Sequence, residues 1–402
     1  MQIRNCRLVD KPGHFFDVTV TAEKISAINL STDSDISVAH HQQVIDSKGA
    51  LLTTSLAEPH AHLDKAFLSE RIANPTGDLM GAINAMESGR DLITVDDTIS
   101  RAERAVRLMV SNGVTAIRTH ADVTQWNSLD SIEALTEVRN RTRDIVEMQI
   151  VALLGWPLSG DLGQANLALG KKAIKLGADI LGGCPHLDSD PVGSNNALLQ
   201  LATELGCPLD LHTDEHTDAQ RVSLEDLADR VIATKFAYSV TASHCVSLGM
   251  QTEDAQKRIS EKVALAKIGV ITLPHTNLFL QGRDDAVAPP RGLTAVRALR
   301  TAGVRVAAGA DNLQDPFNPV GNGDPLETAS LLVLAAHQLP DDAFAAISNT
   351  AKSVMGLPET QLKVGDLANL MLTPATTLRE AIASRRSRQM VMSLGRLSHF
   401  SN

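Results

Sequence analysis

The sequence predicts an α/β protein: a (β/α)8 TIM barrel with a small β-sandwich domain formed by its two ends. Three observations predict it. From about residue 54, apolar strand-like runs alternate with stretches of helical periodicity. Counting from Leu51 gives eight such strands, each followed by helical sequence, which fits a closed barrel rather than an open sheet. β-like sequence also recurs at both ends of the chain. The expected organisation is residues 1–53 as the N-terminal part of the small domain, 54–356 as the barrel, and 357–402 as the C-terminal part.

Each element has a local reason. Ile3–Val9, Phe15–Thr21 and Lys24–Leu30 alternate or run apolar, with Gly13 and the polar stretch Ser31–Ser37 as breaks. Val44-Ile45-Asp46 leads through Lys48-Gly49-Ala50 into a buried run, Leu51 to Ala57, read as the first barrel strand. Helices are expected over 95–112, 128–143, 165–176, 195–205, 224–235, 254–267 and 293–302. Several stop at glycine: Gly113, Gly177, Gly206, Gly269 and Gly303. The 128–143 helix is expected to open on a Ser or Asp cap. Between these helices lie Val114–His120, Glu147–Leu153, Ile180–Gly183, Pro208–His212, Val240–His244, Val270–Leu273 and Val304–Gly309, all read as strands. Past Gly356, Leu362 to Leu372 returns to β-like sequence and is expected to pair with the N-terminal strands.

Composition excludes several function classes. The formal charge is −10 and Lys and Arg are scattered, so no basic surplus is available for nucleic acid. No apolar run reaches membrane-span length, and the N-terminus lacks a secretory apolar segment, so a cytoplasmic location is the expectation. Cys6, Cys184, Cys207 and Cys245 are far apart and read as buried free thiols. Aromatic content is only 3%, so each aromatic near a ligand site gains weight.

In such a barrel, chemistry gathers at the carboxyl ends of the strands. There the sequence places His60 and His62, His120 and Asp122, His212 with Glu215, His244, and Asp311-Asn312. His60 and His62 stand at i and i+2, so their side chains leave the strand on one side. Three imidazoles and a carboxylate, His60, His62, His212 and Asp311, could hold one divalent cation, Zn or Fe, and leave a place for water. The cation would lower that water's pKa and make a nucleophile. Glu215 could serve as a proton shuttle without ligating, and His244 could orient the water. His120 and Asp122 read as supports behind the ligands.

The segments Glu58–Lys65, Arg118–Val123, His212–Glu215, Thr241–His244, Leu280–Arg283 and Asp311–Phe317 together resemble the bacterial cytosine deaminase and N-isopropylammelide amidohydrolase branch of the amidohydrolase superfamily. Val364–Leu370 resembles the superfamily's C-terminal β segment. The resemblance covers nearly the whole chain with its motifs in order. It implies one Zn or Fe ion on His60, His62, His212 and Asp311, with Glu215, His244 and Asp311 as the catalytic groups. It implies hydrolysis of an exocyclic C–N bond on an aminopyrimidine or aminotriazine, releasing ammonia or an amine. Binuclear relatives carry a bridging Lys after the fourth strand; no Lys lies between Asp179 and Asp188, which favours a single metal.

Specificity departs from cytosine deaminases. Where they carry a ring-reading Gln this chain has Gly155, and where they carry a Trp it has Phe317. Their second eighth-strand Asp is Asn312 here. Loss of a hydrogen-bonding side chain argues against cytosine itself. His-Leu-Asp-Lys resembles the triazine-processing relatives, so Lys65 and Asp188 are expected to contact the ring, with Trp156 and Phe317 as walls. The expected partner is a small heterocyclic substrate; members of this branch often form oligomers, and a homo-oligomer is left open. Two other readings remain: ring opening of a cyclic amide, as in hydantoinases and dihydroorotases, and a metal-containing binding protein without turnover. Glu215 argues against the last, because a mere binding site has no need of a non-ligating acid.

Overall fold

The computed structural model describes residues 1–32 and 43–401. Eight parallel strands form the barrel: β1 (Leu56–Ala61), β2 (Val114–Val123), β3 (Glu147–Leu154), β4 (Ile180–Gly183), β5 (Leu209–Thr213), β6 (Val240–His244), β7 (Gly269–Thr272) and β8 (Val306–Ala308). They pair in sequence order. Helices pack outside, as parallel crossovers require. The helix Val95–Ser111 is typical. Thr94 caps it by accepting from the Asp97 amide at 3.2 Å. Its buried stripe, Ala102, Ala105, Val106, Met109 and Val110, joins the main core. Each larger side chain of that stripe contributes about 1.5–3 kcal/mol by leaving water. The helix Pro191–Leu205 ends on Gly206, whose φ of +69° is the left-handed conformation that glycine adopts without a Cβ penalty.

The barrel closes at a short seam. Ala61 and Asp311 form a parallel bridge. His62 N donates to Asp311 O at 3.1 Å, and Asp311 N donates to His60 O at 3.0 Å. Behind it, the buried Glu58 carboxylate accepts from the Ala310 amide at 3.0 and 3.1 Å and from the His60 amide at 3.2 Å. Burial pushes the Glu58 carboxyl up to about 8.

The second sheet joins both chain ends. Its order is Arg396–Phe400, Met390–Ser393, Leu370–Thr373, Leu51–Thr54, Gln2–Leu8, Phe16–Thr21 and Lys24–Leu30, with Val44–Asp46 added alongside Gln2–Leu8. Ile3, Cys6, Val18, Leu52, Leu370, Met390 and Met392 form its separate core.

Two expectations change. Leu51–Thr54 is not the start of the first barrel strand; it pairs antiparallel with Leu370–Thr373 in the small sheet. The chain changes partners within two residues: Ser55 N donates to Asn369 O in the small sheet, and Leu56 N donates to Gly113 O in the barrel. Both environments are fully buried, so one apolar run serves both. The helix expected to open on a Ser or Asp cap, now Asp130–Thr142, has Leu129 at that position and no side-chain cap bond. Residues 33–37 of the expected polar break lie outside the described residues. The four cysteines are buried and free.

Candidate active site

At the carboxyl mouth of the barrel the expected ligands converge. His60 is the penultimate residue of β1, and His62 is the first residue beyond its end. His212 sits in β5, and Asp311 follows β8. His62 Nε2 and His212 Nε2 are 3.1 Å apart. Asp311 Oδ1 lies 3.3 Å from His62 Nε2 and 3.5 Å from His60 Nε2. Donors about 2.0–2.1 Å from a tetrahedral zinc stand roughly 3.3–3.4 Å from one another, so this set fits one small divalent ion. The polar atoms point the same way: His60 Nε2, Asp311 Oδ1 and Asp311 Oδ2 are buried and have no hydrogen-bond partner among the described residues. Such groups are costly to leave unmatched. Burial, above all, holds His60, His62 and His212 far below the ordinary histidine range, so they are neutral donors. Asp311 adopts φ +68°, a position rarely taken by a residue with a Cβ; such strain costs of order 1–3 kcal/mol and gathers at functional sites.

The other titratable groups close around this point. His244 ends β6, also at positive φ, +67°. Its Nδ1 is 2.9 Å from Asn277 Oδ1 and its Nε2 is 3.9 Å from Asp311 Oδ2. Glu215 Oε1 is 3.5 Å from His244 Nδ1. Glu215 is buried, and burial together with the nearby Asp311 carboxylate lifts it well above the usual carboxyl range. Its proton-carrying form is therefore favoured. Burial keeps His244 below its usual value, which favours the neutral imidazole. The residues after β4 are Cys184-Pro185-His186, with no lysine to bridge two metals.

The amidohydrolase family profile matches residues 91–396. The chain belongs to the amidohydrolase family. This amidohydrolase is 32% identical to the pterin deaminase of Rhizobium rhizogenes over 357 residues, covering 88% of this chain and 81% of that one. It is 23% identical to the N-isopropylammelide isopropyl amidohydrolase of a Pseudomonas species, over 98% of this chain and 96% of the relative. Among solved structures, the 5-methylcytosine deaminase of Klebsiella pneumoniae liganded with phosphonocytosine superposes with a TM-score of 0.90 at 29% identity, covering 100% of this chain and 98% of the other.

Above the ligands the amidohydrolase opens into a cavity of about 370 Å³. Lys65, Trp156, Asn312 and Phe317 line it. Lys65 Nζ donates to Asp122 Oδ1 at 2.6 Å and stands 3.2 Å from His62 Nδ1. Burial works against its charge, but Asp122 and Asp64 outweigh that and hold it protonated. Asn312 accepts from Thr276 Oγ1 and donates to Asp315. Asp188 is not brought to the cavity. Its carboxylate accepts from the Leu158 and Ser159 amides and from the Ser159 and Ser194 hydroxyls, so it ties the loop after β3 to the helix after β4. The expected ring contact from Asp188 is corrected to a structural one: every lone pair it could offer is engaged locally.

Three features escaped the sequence reading. Trp126, the other tryptophan of the chain, also lines the cavity. So do Leu79, Ile83 and Met86 from a short helix, Leu79–Ser88, that covers the mouth. His186 packs beneath, with Nδ1 bonded to His212 O and Nε2 3.9 Å from Glu215 Oε2. The one available signal was Trp126 itself: with so few aromatics, both tryptophans sit shortly after barrel strands.

Proposed function

We propose that this amidohydrolase is a deaminase that binds one Zn or Fe ion through His60, His62, His212 and Asp311, and that fused aminopyrimidinones of the pterin type are its best substrates. The observation that carries the reading is Glu215: a buried carboxyl beside the ligand cluster, not itself placed to ligate, whose proton-carrying form is favoured by burial and by the Asp311 carboxylate. We read residues 54–356 as the catalytic unit, with 1–53 and 357–402 as its companion.

A divalent cation held there supplies the charge that makes water acidic near neutral pH. The rest falls to the protein. Lys65 and Asn312 offer polar contacts to a ring carbonyl and ring nitrogens. Asp311 and His244 take the proton of the attacking water. Glu215 protonates a ring nitrogen, so that electron density arriving at the amine-bearing carbon has somewhere to go. That carbon becomes tetrahedral, the proton taken from water passes to the amine, the C–N bond breaks, ammonia leaves, and the remaining hydroxyl proton returns to Glu215 as the carbonyl forms. The pterin preference rests on the relative at 32% identity and on the cavity. Gly155 takes no space at the wall, and Trp126, Trp156, Leu79, Ile83 and Met86 form an apolar surround that suits a second ring.

The test is metal analysis followed by an amine-release screen across pterins, cytosines, aminotriazines and creatinine-like rings. About one metal per chain and fastest release from a pterin are expected. Glu215→Gln should lose about 10²–10⁴-fold in kcat with metal content unchanged. Full turnover by that variant would refute the proton-donor role. Carboxylate formed from cyclic imides, with no amine released from any ring, would favour the ring-opening reading instead.

A further inference from the structure

Below the ligand cluster lies a second buried polar set that the reaction does not consume. His60 Nδ1 is 2.9 Å from Ser243 Oγ in β6. Ser243 Oγ donates to Asp210 Oδ1 in β5 at 3.3 Å. Asp210 Oδ2 accepts from Arg118 Nη1 in β2 at 2.7 Å. Arg118 is fixed in turn, Nη1 to Thr241 Oγ1 at 3.1 Å and Nε to Gln149 Oε1 at 3.0 Å. The His120 ring lies 3.9 Å from the His60 ring, and its Nε2 is 3.3 Å from Asp210 Oδ1. Ser243 and Asp210 are both 0% exposed, so no solvent competes for these bonds.

Donor counting gives the set a direction. A serine hydroxyl has one hydrogen. The carboxylate of Asp210 is the stronger acceptor and claims it. Ser243 Oγ can then only accept from His60, so the hydrogen between them belongs to His60 Nδ1. A neutral imidazole carries one N–H, which leaves His60 Nε2 bare, and that is the nitrogen facing His62, His212 and Asp311. We propose that Ser243, with Asp210 and Arg118 behind it, is a positioning residue that locks His60 in the tautomer able to bind the cation. The inference rests on the metal-centre reading above. Asp210 is held at a fixed distance by strand pairing, since β5 and β6 run in register with Asp210 opposite Thr241 and His212 opposite Ser243. The same ladder therefore sets one metal ligand and the support of another.

The test compares wild type with Ser243→Ala. Zinc affinity is measured by competition with a chromophoric chelator, and each apo protein is melted to check the fold. The variant should keep its apo melting temperature within a few degrees and lose about 10–100-fold in zinc affinity, the usual effect of removing a group that orients a metal-bound histidine. A folded Ser243→Ala protein with wild-type zinc affinity would overturn the proposal. An independent readout needs no variant: two-bond ¹H–¹⁵N spectra of the imidazoles in apo wild type should show His60 protonated at Nδ1, and an unprotonated Nδ1 would overturn it equally. A wild-type protein that takes up no zinc or iron would refute the metal-centre reading, while the His60 tautomer would still decide the relay.

Discussion

Lys352 is a buried cation at the joint between the two sheets, and its removal should change how stability depends on pH. It is 2% exposed, and its Nζ meets Thr54 Oγ1 at 3.0 Å, Ser55 O at 2.9 Å and Ser55 Oγ at 3.0 Å. Burial brings its pKa from 10.5 down to about 7. Between those values the unfolded chain binds a proton that the folded protein does not, so this group makes stability rise with pH. Below about pH 7 the cost of burying the charge is complete; above about 10.5 it has gone. Each pH unit inside the window is worth about 1.4 kcal/mol, so from pH 7 to pH 9 the contribution is of order 2–3 kcal/mol. Lys352→Met keeps the volume and removes the proton. Urea unfolding of wild type and variant at pH 6, 7.5 and 9, followed by circular dichroism, reads the difference. The variant should gain on wild type at pH 6, and that relative gain should shrink by about 2–3 kcal/mol by pH 9. Equal pH dependence in the two proteins would show that the ammonium stays charged through its hydrogen bonds, and the argument would fail.

Other outcomes follow from the site. Asp311→Asn should drop bound metal from about one per chain to a small fraction by mass spectrometry, because a carboxylate is replaced by a neutral, weaker donor. Trp126→Ala should raise KM roughly 3–10-fold with little change in kcat, since an aromatic pair is worth about 0.5–1.5 kcal/mol; an unchanged KM would remove Trp126 from the substrate wall. Gly155→Gln should keep the fold, because an added Cβ would stand 3.3 Å from the Thr124 methyl, a contact that a small shift relieves. Its side chain should cut turnover of a fused ring more than that of a single ring in the same amine-release assay.

Much of this was legible because barrel periodicity and strand-end chemistry are local. Gly206 and Asn112-Gly113 marked helix ends through backbone preferences that need no tertiary context. His60 and His62 shared a direction because strand geometry alone requires it. What could not be read depends on partners distant in sequence. Leu51–Thr54 and Leu56–Ala61 look alike as apolar strands, and only their different neighbours separate them. Asp188 looked available because nothing in the sequence says that Ser194 and the amides of Leu158 and Ser159 would surround it. The covering helix Leu79–Ser88 puts cavity-lining Leu79, Ile83 and Met86 and buried Ala82 on one face, but that stripe spans only three turns and nothing in the sequence says that it lies over the barrel mouth. Ser243 is a small residue inside a strand, and its importance emerges only from what stands on either side of it.

The seam between β1 and β8 has a consequence for biosynthesis. The first and last barrel strands bring His60, His62 and Asp311 together through the same two amide bonds that shut the ring. A chain still emerging from the ribosome owns both histidines long before residue 311 exists, yet it lacks the fourth donor and the register that aligns the set. On the proposed metal reading, ion uptake and completion of the ring would be coupled late in synthesis, and each would help to drive the other. A cell short of the ion would accumulate chains whose ring is least secure at this joint, and proteolysis there would report on metal supply.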